Sequence, residues 1–400
     1  MQADSNTGIA VRTMTHDGLA ARVVMGAGSL ALLPDEVRRL GGRRVLLLMG
    51  RTTAASATAA RVRQALGPLL AGVFDEVTPH SGVGLVERVA GQARQAQADL
   101  LLALGGGSVS DTAKAVAILL AEGGPLARHA TRFTPPDKLE APALDKPKLP
   151  IIAVPTTASA AEVTPGLGIR DDAGRKLLFR DPKVAARTVI LDPEANTEVP
   201  AALMLGTGMN ALAHCVESLY SRQHNPVSDA LAVEGIRLLA RGLPAVRRDP
   251  ASVPAREEVL YGSHLSGMAL VNARPCLHHA LCHCLGALGG VSHGDANAIM
   301  LPHVMRFNRP AAAARLRLAA QALGVEEAGQ SEESAADAAI EAVVRLQAAI
   351  GVPMRLRDTQ LDAAVLPAVA DHVLGDRGLH FNPGPPVTHE AALQLLQAAW

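Results

Sequence analysis

The sequence contains few aromatic residues, no excess of charge of either sign and no long apolar run. Aromatic side chains make up 2% of the 400 residues in a composition that is 48% hydrophobic, so aliphatic side chains must fill the core. Lys plus Arg and Asp plus Glu number 38 each, and this balance gives no general attraction to nucleic acid or to an anionic membrane. No apolar stretch approaches the roughly 20 residues that span a bilayer. The composition predicts a globular protein.

Cysteine is also scarce. The four cysteines are Cys215, Cys276, Cys282 and Cys284, and the last three lie close together beside histidines. A Cys/His zinc site is one interpretation, but structural zinc usually takes paired cysteines from two separate stretches. We therefore expect buried thiols that behave as small apolar side chains. Residues 1–15 have no apolar run of the kind found in signal peptides, so the expected location is the cytoplasm.

The first 200 residues alternate short apolar runs with amphipathic helical patterns. The apolar runs predict buried strands at 45–49, 73–77, 100–104, 151–154 and 188–191. Helical patterns lie between them at 54–66, 84–97 and 111–120, and the proline-rich stretch 122–149 predicts an excursion over the surface. This alternation is typical of a parallel sheet with crossover helices, as in Rossmann-like α/β domains.

Beyond residue 200 the pattern changes to long helices rich in Ala and Leu. These helices are predicted at 228–241, 256–271, 311–323 and 334–350, without a convincing strand. We therefore predict an α/β domain over residues 1–200 and an all-α domain over residues 201–400.

Two loops that follow predicted strands suit a nucleotide. Gly105-Gly106-Gly107-Ser108 precedes a helical pattern, where glycines let the backbone approach a phosphate and a helix N-terminus offers N–H donors. Asp111 is expected to cap or order this turn. The G-x-G-x-x-G spacing is missing, so a purely steric turn is the alternative. Thr156 and Thr157 follow the strand at 151–154, and ligands of open parallel sheets bind at this edge, which favours NAD(H) or NADP(H).

Arg51 follows the first predicted strand, and no acidic residue stands beside it there. An acidic side chain at this point usually binds the ribose 2′-hydroxyl of NAD(H), whereas an arginine accommodates the 2′-phosphate of NADP(H). The sequence therefore predicts that the cofactor site accepts NADPH.

Histidines are concentrated in the second half. His279 and His283 are four residues apart on one predicted helix, and Asn210 and His214 have the same spacing on another, so each pair shares a helix face. His293 is placed in a loop. A lone histidine on an apolar helix is usually structural, but several polar groups on apolar helices are costly unless they are paired. The pattern favours a functional cluster in one cleft.

Taken together, these motifs resemble the iron-containing alcohol dehydrogenase superfamily. The resemblance is carried by Gly-Gly-Gly-Ser-x-x-Asp-Thr-Ala-Lys at 105–114 and by the segments 155–157, 161–164, 208–217, 279–286 and 293–303. It runs in order from about residue 20 to the C-terminus. It implies a dinucleotide-binding α/β domain followed by a helical domain, which matches the predicted boundary.

The resemblance also implies roles for individual residues. The pyrophosphate is expected at Gly106, Gly107 and Ser108, and further cofactor contacts at Thr156, Thr157 and Lys176. His214, His279 and His293 fall on the metal positions of the family, and His283 falls beside nicotinamide and substrate. Asp111 and Arg51 complete the expected cofactor site, and Asn210 completes the expected metal site.

One of these positions departs from the metal-dependent members, which carry an aspartate where this chain has Asn210. A neutral amide should bind Fe²⁺ or Zn²⁺ more weakly, so we expect the metal to be dispensable. The maleylacetate reductase branch resembles this chain here, with Gly-Met-Asn-Ala-x-Ala-His at 208–214 and Leu-His-His-x-x-Cys-His at 277–283. Segments 108–111 and 292–295 instead resemble ordinary alcohol dehydrogenases.

We expect a homodimeric enzyme that reduces a small carbonyl or enone with NAD(P)H, most specifically maleylacetate to 3-oxoadipate. His283, His279 and His214 are the expected catalytic residues. They would act either around a metal or as protonated imidazoles that stabilise charge and supply a proton. A dicarboxylate also needs cationic side chains, for which Arg22, Arg51, Arg274 and Lys183 are candidates.

Three alternatives remain open from the sequence. The first is a metal-dependent short-chain alcohol dehydrogenase or aldehyde reductase. The second is a lyase or cyclase related to dehydroquinate synthase, which uses nicotinamide only transiently. The third is a nucleotide-binding sensor without catalytic activity.

Overall fold

The computed structural model describes residue 18 and residues 21–79, 81–134 and 138–400. The segment 1–15, to which the signal-peptide expectation applies, lies outside the described residues. The strands, in chain order, are β1 (Arg22–Met25), β2 (Val45–Leu48), β3 (Leu70–Phe74), β4 (Leu100–Gly105), β5 (Arg132–Thr134), β6 (Lys138–Glu140), β7 (Ile151–Pro155), β8 (Gly166–Arg170), β9 (Lys176–Arg180) and β10 (Thr188–Leu191).

Six of the strands form one parallel sheet in the order β1-β10-β7-β4-β2-β3. Strands β2, β4, β7 and β10 are buried along their whole length, as their uninterrupted apolar sequences predict. β3 ends at Phe74, so the strand predicted at 73–77 was placed too late. The α/β class with a parallel sheet is confirmed.

The helices of the first half cover the sheet. They are α1 (Leu33–Arg39), α2 (Arg51–Ala54), α3 (Ala57–Leu66), α4 (Val83–Gln95), α5 (Gly107–Glu122) and α6 (Pro193–Asn196). The helix predicted at 54–66 is divided, because the hydroxyl of Ser56 accepts a hydrogen bond from the N–H of Ala59 and starts α3.

The second half is helical throughout its described length. Its helices are α7 (Ala201–Tyr220), α8 (Pro226–Arg248), α9 (Val253–Ala273), α10 (Leu277–Gly289), α11 (His293–Leu323), α12 (Glu332–Ile350), α13 (Leu366–Val373) and α14 (His389–Ala398). The helix predicted at 311–323 is the last part of α11, whose earlier turns contain Pro302 and Pro310 and therefore hide the helical pattern. Within the described ranges, no helix is both long and apolar enough to cross a membrane.

Several elements of the sheet half have no counterpart among the predicted elements, and two of them shape the sheet and the site. β1 forms one edge of the sheet, and β8 pairs with β9 as an antiparallel hairpin. The hairpin residues are mostly only partly buried, so the sequence shows no continuous apolar run there. This hairpin packs against α5 and carries Lys176 on its second strand.

A buried arginine joins the two halves. Arg256 on α9 donates to the side-chain oxygen of Asn196 at 2.8 Å, to the carbonyl of Val199 at 2.8 Å and to the carbonyl of Pro250 at 2.7 Å. Asn196 in turn donates to the carbonyl of Thr156 at 2.7 Å. Arg256 is 1% exposed and Asn196 is fully buried, so water cannot easily replace the guanidinium at the side-chain oxygen of Asn196. The chain of hydrogen bonds fixes the loop after β7 relative to the helices.

We expect Arg256→Met to lower the free energy of unfolding by about 3 kcal/mol, because it leaves the buried oxygens of Asn196 without a donor and breaks two further hydrogen bonds to main-chain carbonyls. The control is Arg241→Met, since Arg241 is exposed and pairs with Glu258 at 3.0 Å. The control should change stability by less than about 0.5 kcal/mol. Urea unfolding of both variants measures the difference, and equal losses would contradict the proposed clamp.

Candidate active site

One large cavity lies between the sheet half and the helical half, with a volume of about 1760 Å³. This space exceeds that of a typical site for one small ligand. All thirteen residues that the sequence singles out for cofactor, metal or catalysis line it: Arg51, Gly106, Gly107, Ser108, Asp111, Thr156, Thr157, Lys176, Asn210, His214, His279, His283 and His293. The two sets of motifs therefore meet in one place.

The glycine turn forms the floor of the cavity at the start of α5. A Cβ atom at Gly106 would lie 3.0 Å from the side chain of Thr157, and one at Gly107 would lie 3.3 Å from the hydroxyl of Ser159. A side chain at either position would therefore crowd the loop after β7, and glycine lets the loops after β4 and β7 approach closely. The N-terminus of the 16-residue helix α5 borders the cavity and presents the positive end of its dipole.

The sequence suggested that Asp111 caps or orders this turn. In the structure Asp111 does not cap the start of α5. Because α5 begins at Gly107, Asp111 lies in its second turn, and its carboxylate accepts a hydrogen bond from the N–H of Gly168 at 3.0 Å. Asp111 thus holds the β8–β9 hairpin against α5. A Cβ atom at Gly168 would lie 2.3 Å from Cε of Lys176, so this glycine makes room for the lysine side chain.

The histidines come from three helices. α7 carries Asn210 and His214, α10 carries His279 and His283, and His293 is the first residue of α11. His293 was expected in a loop, but the hydroxyl of Ser292 caps α11 by accepting from the N–H of Asp295.

The imidazole rings lie close together. The ring centroids of His214 and His279 are 4.7 Å apart, those of His279 and His293 are 6.1 Å apart, and those of His283 and His293 are 5.9 Å apart. A single ligand or ion can therefore contact several rings at once.

Burial makes these imidazoles hard to protonate. Desolvation, together with the neighbouring imidazoles, lowers the pKa of His279 to about 3 and holds the pKa of His214 well below its usual range. The pKa of His293, whose ring borders the open cavity, is also held well below its usual value by desolvation and by its neighbours. The buried rings of His214 and His279 are neutral near pH 7. They therefore suit metal ligation better than the charge stabilisation by protonated imidazoles that the sequence left open.

His279 is oriented by a carboxylate that the sequence analysis did not single out. Glu217 on α7 is fully buried and accepts hydrogen bonds from the N–H groups of Cys276 at 3.1 Å and His278 at 2.9 Å. It also accepts from Nδ1 of His279. Nε2 of His279 then faces Oδ1 of Asn210 at 3.3 Å. A carboxylate behind a ligating imidazole is a common arrangement in metal sites.

The cysteines do not form a metal site in the part of the chain that the structure describes. All four thiols are free and buried, and burial raises the pKa of each. The one group of three close metal-ligating side chains found there consists of Glu217, His278 and His279 and contains no cysteine. The prediction of buried apolar thiols is confirmed.

The basic candidates are divided between the cavity and the surface. Arg22 contacts Glu36 at 2.9 Å and Lys183 contacts Asp181 at 2.9 Å, and neither borders the cavity, so both were wrong candidates. Arg274 does line the cavity, in a left-handed backbone conformation (φ 71°) that is unusual for arginine.

Arg51 lines the cavity beside an acidic residue that the local sequence does not reveal. Its guanidinium lies 2.8 Å from the carboxylate of Glu76, which follows β3. The far end of the cavity thus offers both a cation for a 2′-phosphate and an anion for ribose hydroxyls.

Comparisons with known proteins agree with this architecture. Residues 20–193 match the family model for iron-containing alcohol dehydrogenases, and residues 204–400 match the model for the C-terminal region of the Fe-containing alcohol dehydrogenase family.

Maleylacetate reductase 2 of Cupriavidus pinatubonensis JMP 134 is 40% identical over 324 residues, which are 81% of this chain and 80% of that protein. Lactaldehyde reductase of Escherichia coli K12 is 34% identical over 383 residues, 94% of this chain and 97% of that protein. The crystal structure of maleylacetate reductase from Agrobacterium tumefaciens superposes with a TM-score of 0.82 at 31% identity, covering 98% of this chain and 99% of that one.

Proposed function

The chain belongs to the iron-containing alcohol dehydrogenase family, and we propose that this NAD(P)-dependent oxidoreductase reduces maleylacetate to 3-oxoadipate. The observation that carries the proposal is the excess of cationic side chains in the cavity lining. Six Lys or Arg side chains line the cavity against three carboxylates, the charge of Lys176 acts on His279 and His293, and Asn210 adds no negative charge. This positive charge suits a substrate with two carboxylates. Relatives named as maleylacetate reductases support the same substrate.

We place the cofactor at the edge of the sheet where β4 and β7 end. We assign the pyrophosphate to the N-terminus of α5 at Gly106, Gly107 and Ser108, where backbone N–H groups and the helix dipole favour anions. Thr156, Thr157 and Lys176 would contact the rest of the cofactor, with Asp111 holding the hairpin that carries the lysine. Arg51 and Glu76 would receive the adenosine ribose, so that NADH and NADPH are both accepted.

The reaction transfers a hydride and a proton to a carbon–carbon double bond. The hydride leaves C4 of the nicotinamide and forms a C–H bond with one alkene carbon, and the electron pair of the double bond moves toward the conjugated carbonyl group. A proton then reaches the neighbouring carbon, and NAD(P)⁺ remains. We assign His283 to the proton transfer, because its side chain is 40% exposed, lines the cavity and lies outside the proposed metal donor set.

The donor set of this structure fits a divalent cation. With Nδ1 of His279 donating to Glu217, Nε2 is an acceptor that faces the amide of Asn210, and a cation between them would satisfy both groups. His214, His279 and His293 would hold the ion, with Asn210 as a weak neutral ligand. A bound metal would act as a Lewis acid on the substrate carbonyl. Because the protein supplies no anionic ligand among these four, we keep the prediction that the ion is dispensable.

Three further features are proposals. We place the domain boundary near residue 200, and we propose a homodimer and a cytoplasmic location. Membership of this family favours net hydride transfer over the lyase or cyclase reaction, while metal-dependent reduction of a short aldehyde remains the second candidate. The relative named lactaldehyde reductase and the three-histidine donor set favour that second function.

The substrate is tested by following NADH and NADPH oxidation with maleylacetate, lactaldehyde and simple ketones, each with and without a chelator. We expect maleylacetate to have the highest kcat/KM, to yield 3-oxoadipate with one NAD(P)H consumed per molecule, and to keep its rate after chelation. Preference for lactaldehyde with complete loss of activity on chelation would instead identify the second candidate. Binding of NADPH without turnover of any compound would favour the sensor.

The metal site is tested by Asn210→Asp. The added carboxylate should raise the affinity for Zn²⁺ or Fe²⁺ by about 10- to 100-fold, measured by competition with a coloured chelator. Gln223→Glu adds the same charge at an exposed position and should leave the affinity unchanged. An unchanged affinity in Asn210→Asp would contradict the assigned donor set.

A further inference from the structure

A second carboxylate, in addition to Glu217, faces a histidine of α10, and that histidine is His283. Asp376 follows α13, far from His283 in sequence, yet its Oδ2 lies 3.7 Å from Nδ1 of His283. Both side chains line the cavity, and they are 27% and 40% exposed respectively. The pair therefore stands at the cavity wall, next to the stacked rings of His283 and His293.

The position of Asp376 is fixed by its own segment. Its Oδ1 accepts a hydrogen bond from the N–H of Gly378 at 2.7 Å, and its N–H donates to the carbonyl of Val373 at 2.9 Å. A Cβ atom at residue 378 would lie 2.7 Å from the carbonyl oxygen of Cys276, the residue that precedes α10. Glycine is thus needed for this segment to pack against the start of the helix that carries His283.

The electrostatic surroundings keep Asp376 charged. Burial alone would raise its pKa, but the side chain of His283, the N–H of Gly378 and the charge of Lys176 together lower it. A carboxylate at Nδ1 selects the tautomer in which Nδ1 carries the proton and fixes the rotation of the ring. Nε2 is then the nitrogen left for the substrate.

We propose that Asp376 is a positioning residue that holds the His283 ring in the Nδ1–H tautomer, with Nε2 directed to the reacting atoms. The separation of 3.7 Å is longer than a hydrogen bond, as is common for catalytic pairs before the substrate binds. The inference rests on the proposed role of His283 but not on the identity of the substrate. In both His279 and His283 a carboxylate then faces Nδ1 of the ring: that of Glu217 for His279 and that of Asp376 for His283.

The kinetic test is a double-mutant cycle with Asp376→Asn and His283→Gln, using whichever of maleylacetate and lactaldehyde the unmodified enzyme reduces. Asparagine keeps an acceptor for Gly378 but removes the charge toward His283. We expect Asp376→Asn to lower kcat by about 10- to 100-fold with little change in KM for NAD(P)H. In the His283→Gln background the same change should lower kcat no further.

The matched control is Asp371→Asn. Asp371 pairs with His389 at 2.7 Å on the same C-terminal segment but does not border the cavity. This variant should keep the kcat of the unmodified enzyme. If Asp376→Asn lowers kcat by the same factor with and without His283, or leaves kcat unchanged, the positioning role is wrong. Should this variant not fold, Asp376→Ser takes its place in the cycle.

A second measurement does not depend on turnover. In protein labelled with ¹⁵N-histidine, the signal that disappears in His283→Gln belongs to His283, and its two nitrogen shifts report the tautomer. We expect Nδ1–H in the unmodified protein and a shift toward Nε2–H in Asp376→Asn. An identical tautomer in both proteins would overturn the proposal, whereas absence of maleylacetate turnover would overturn only the proposed substrate.

Discussion

The burial of uncharged imidazoles at the junction of sheet and helices is the constraint on which the site depends. A desolvated ring cannot easily carry a proton, and the two buried rings that face each other in the cluster, His214 and His279, have lowered pKa values for this reason. Their unprotonated nitrogens must be satisfied by donors or by a cation. The protein directs His279 with a carboxylate from α7, so that one ring nitrogen is used inside the helical half and the other faces the cavity. The nitrogen of His279 that makes no hydrogen bond to Glu217 is the one available to a metal ion or a substrate.

The sheet half supplies the complementary surface. Because strands β4 and β7 are adjacent and parallel, the loops that follow them meet at one edge, and Gly105 pairs with Pro155. Arg256 and Asn196 connect that edge to the helices, so that the cofactor loops and the histidines belong to one packed unit. The hairpin then brings Lys176 over the cavity, where its charge acts on His279 and His293.

Local patterns account for much of the fold and for part of the site. The apolar runs of β2, β4, β7 and β10 and the spacing of His279 and His283 depend on residues adjacent or four apart, so sequence alone reveals them. Glu76 beside Arg51 and Asp376 beside His283 are brought together by the tertiary fold from distant segments. No local period marks such pairs, and the partly buried hairpin has no strong pattern of its own. The glycines at 168 and 378 have an evident purpose only when the neighbouring lysine side chain and carbonyl are seen.

The central claim is that the nicotinamide ring, held by the sheet half, faces the imidazoles of the helical half across the cavity. A crystal structure of the complex with NADPH tests it most directly. The account predicts the pyrophosphate at the N-terminus of α5 and the nicotinamide ring between Lys176 and His283. A nicotinamide ring outside the cavity, or a pyrophosphate bound away from Gly106 and Gly107, would contradict it.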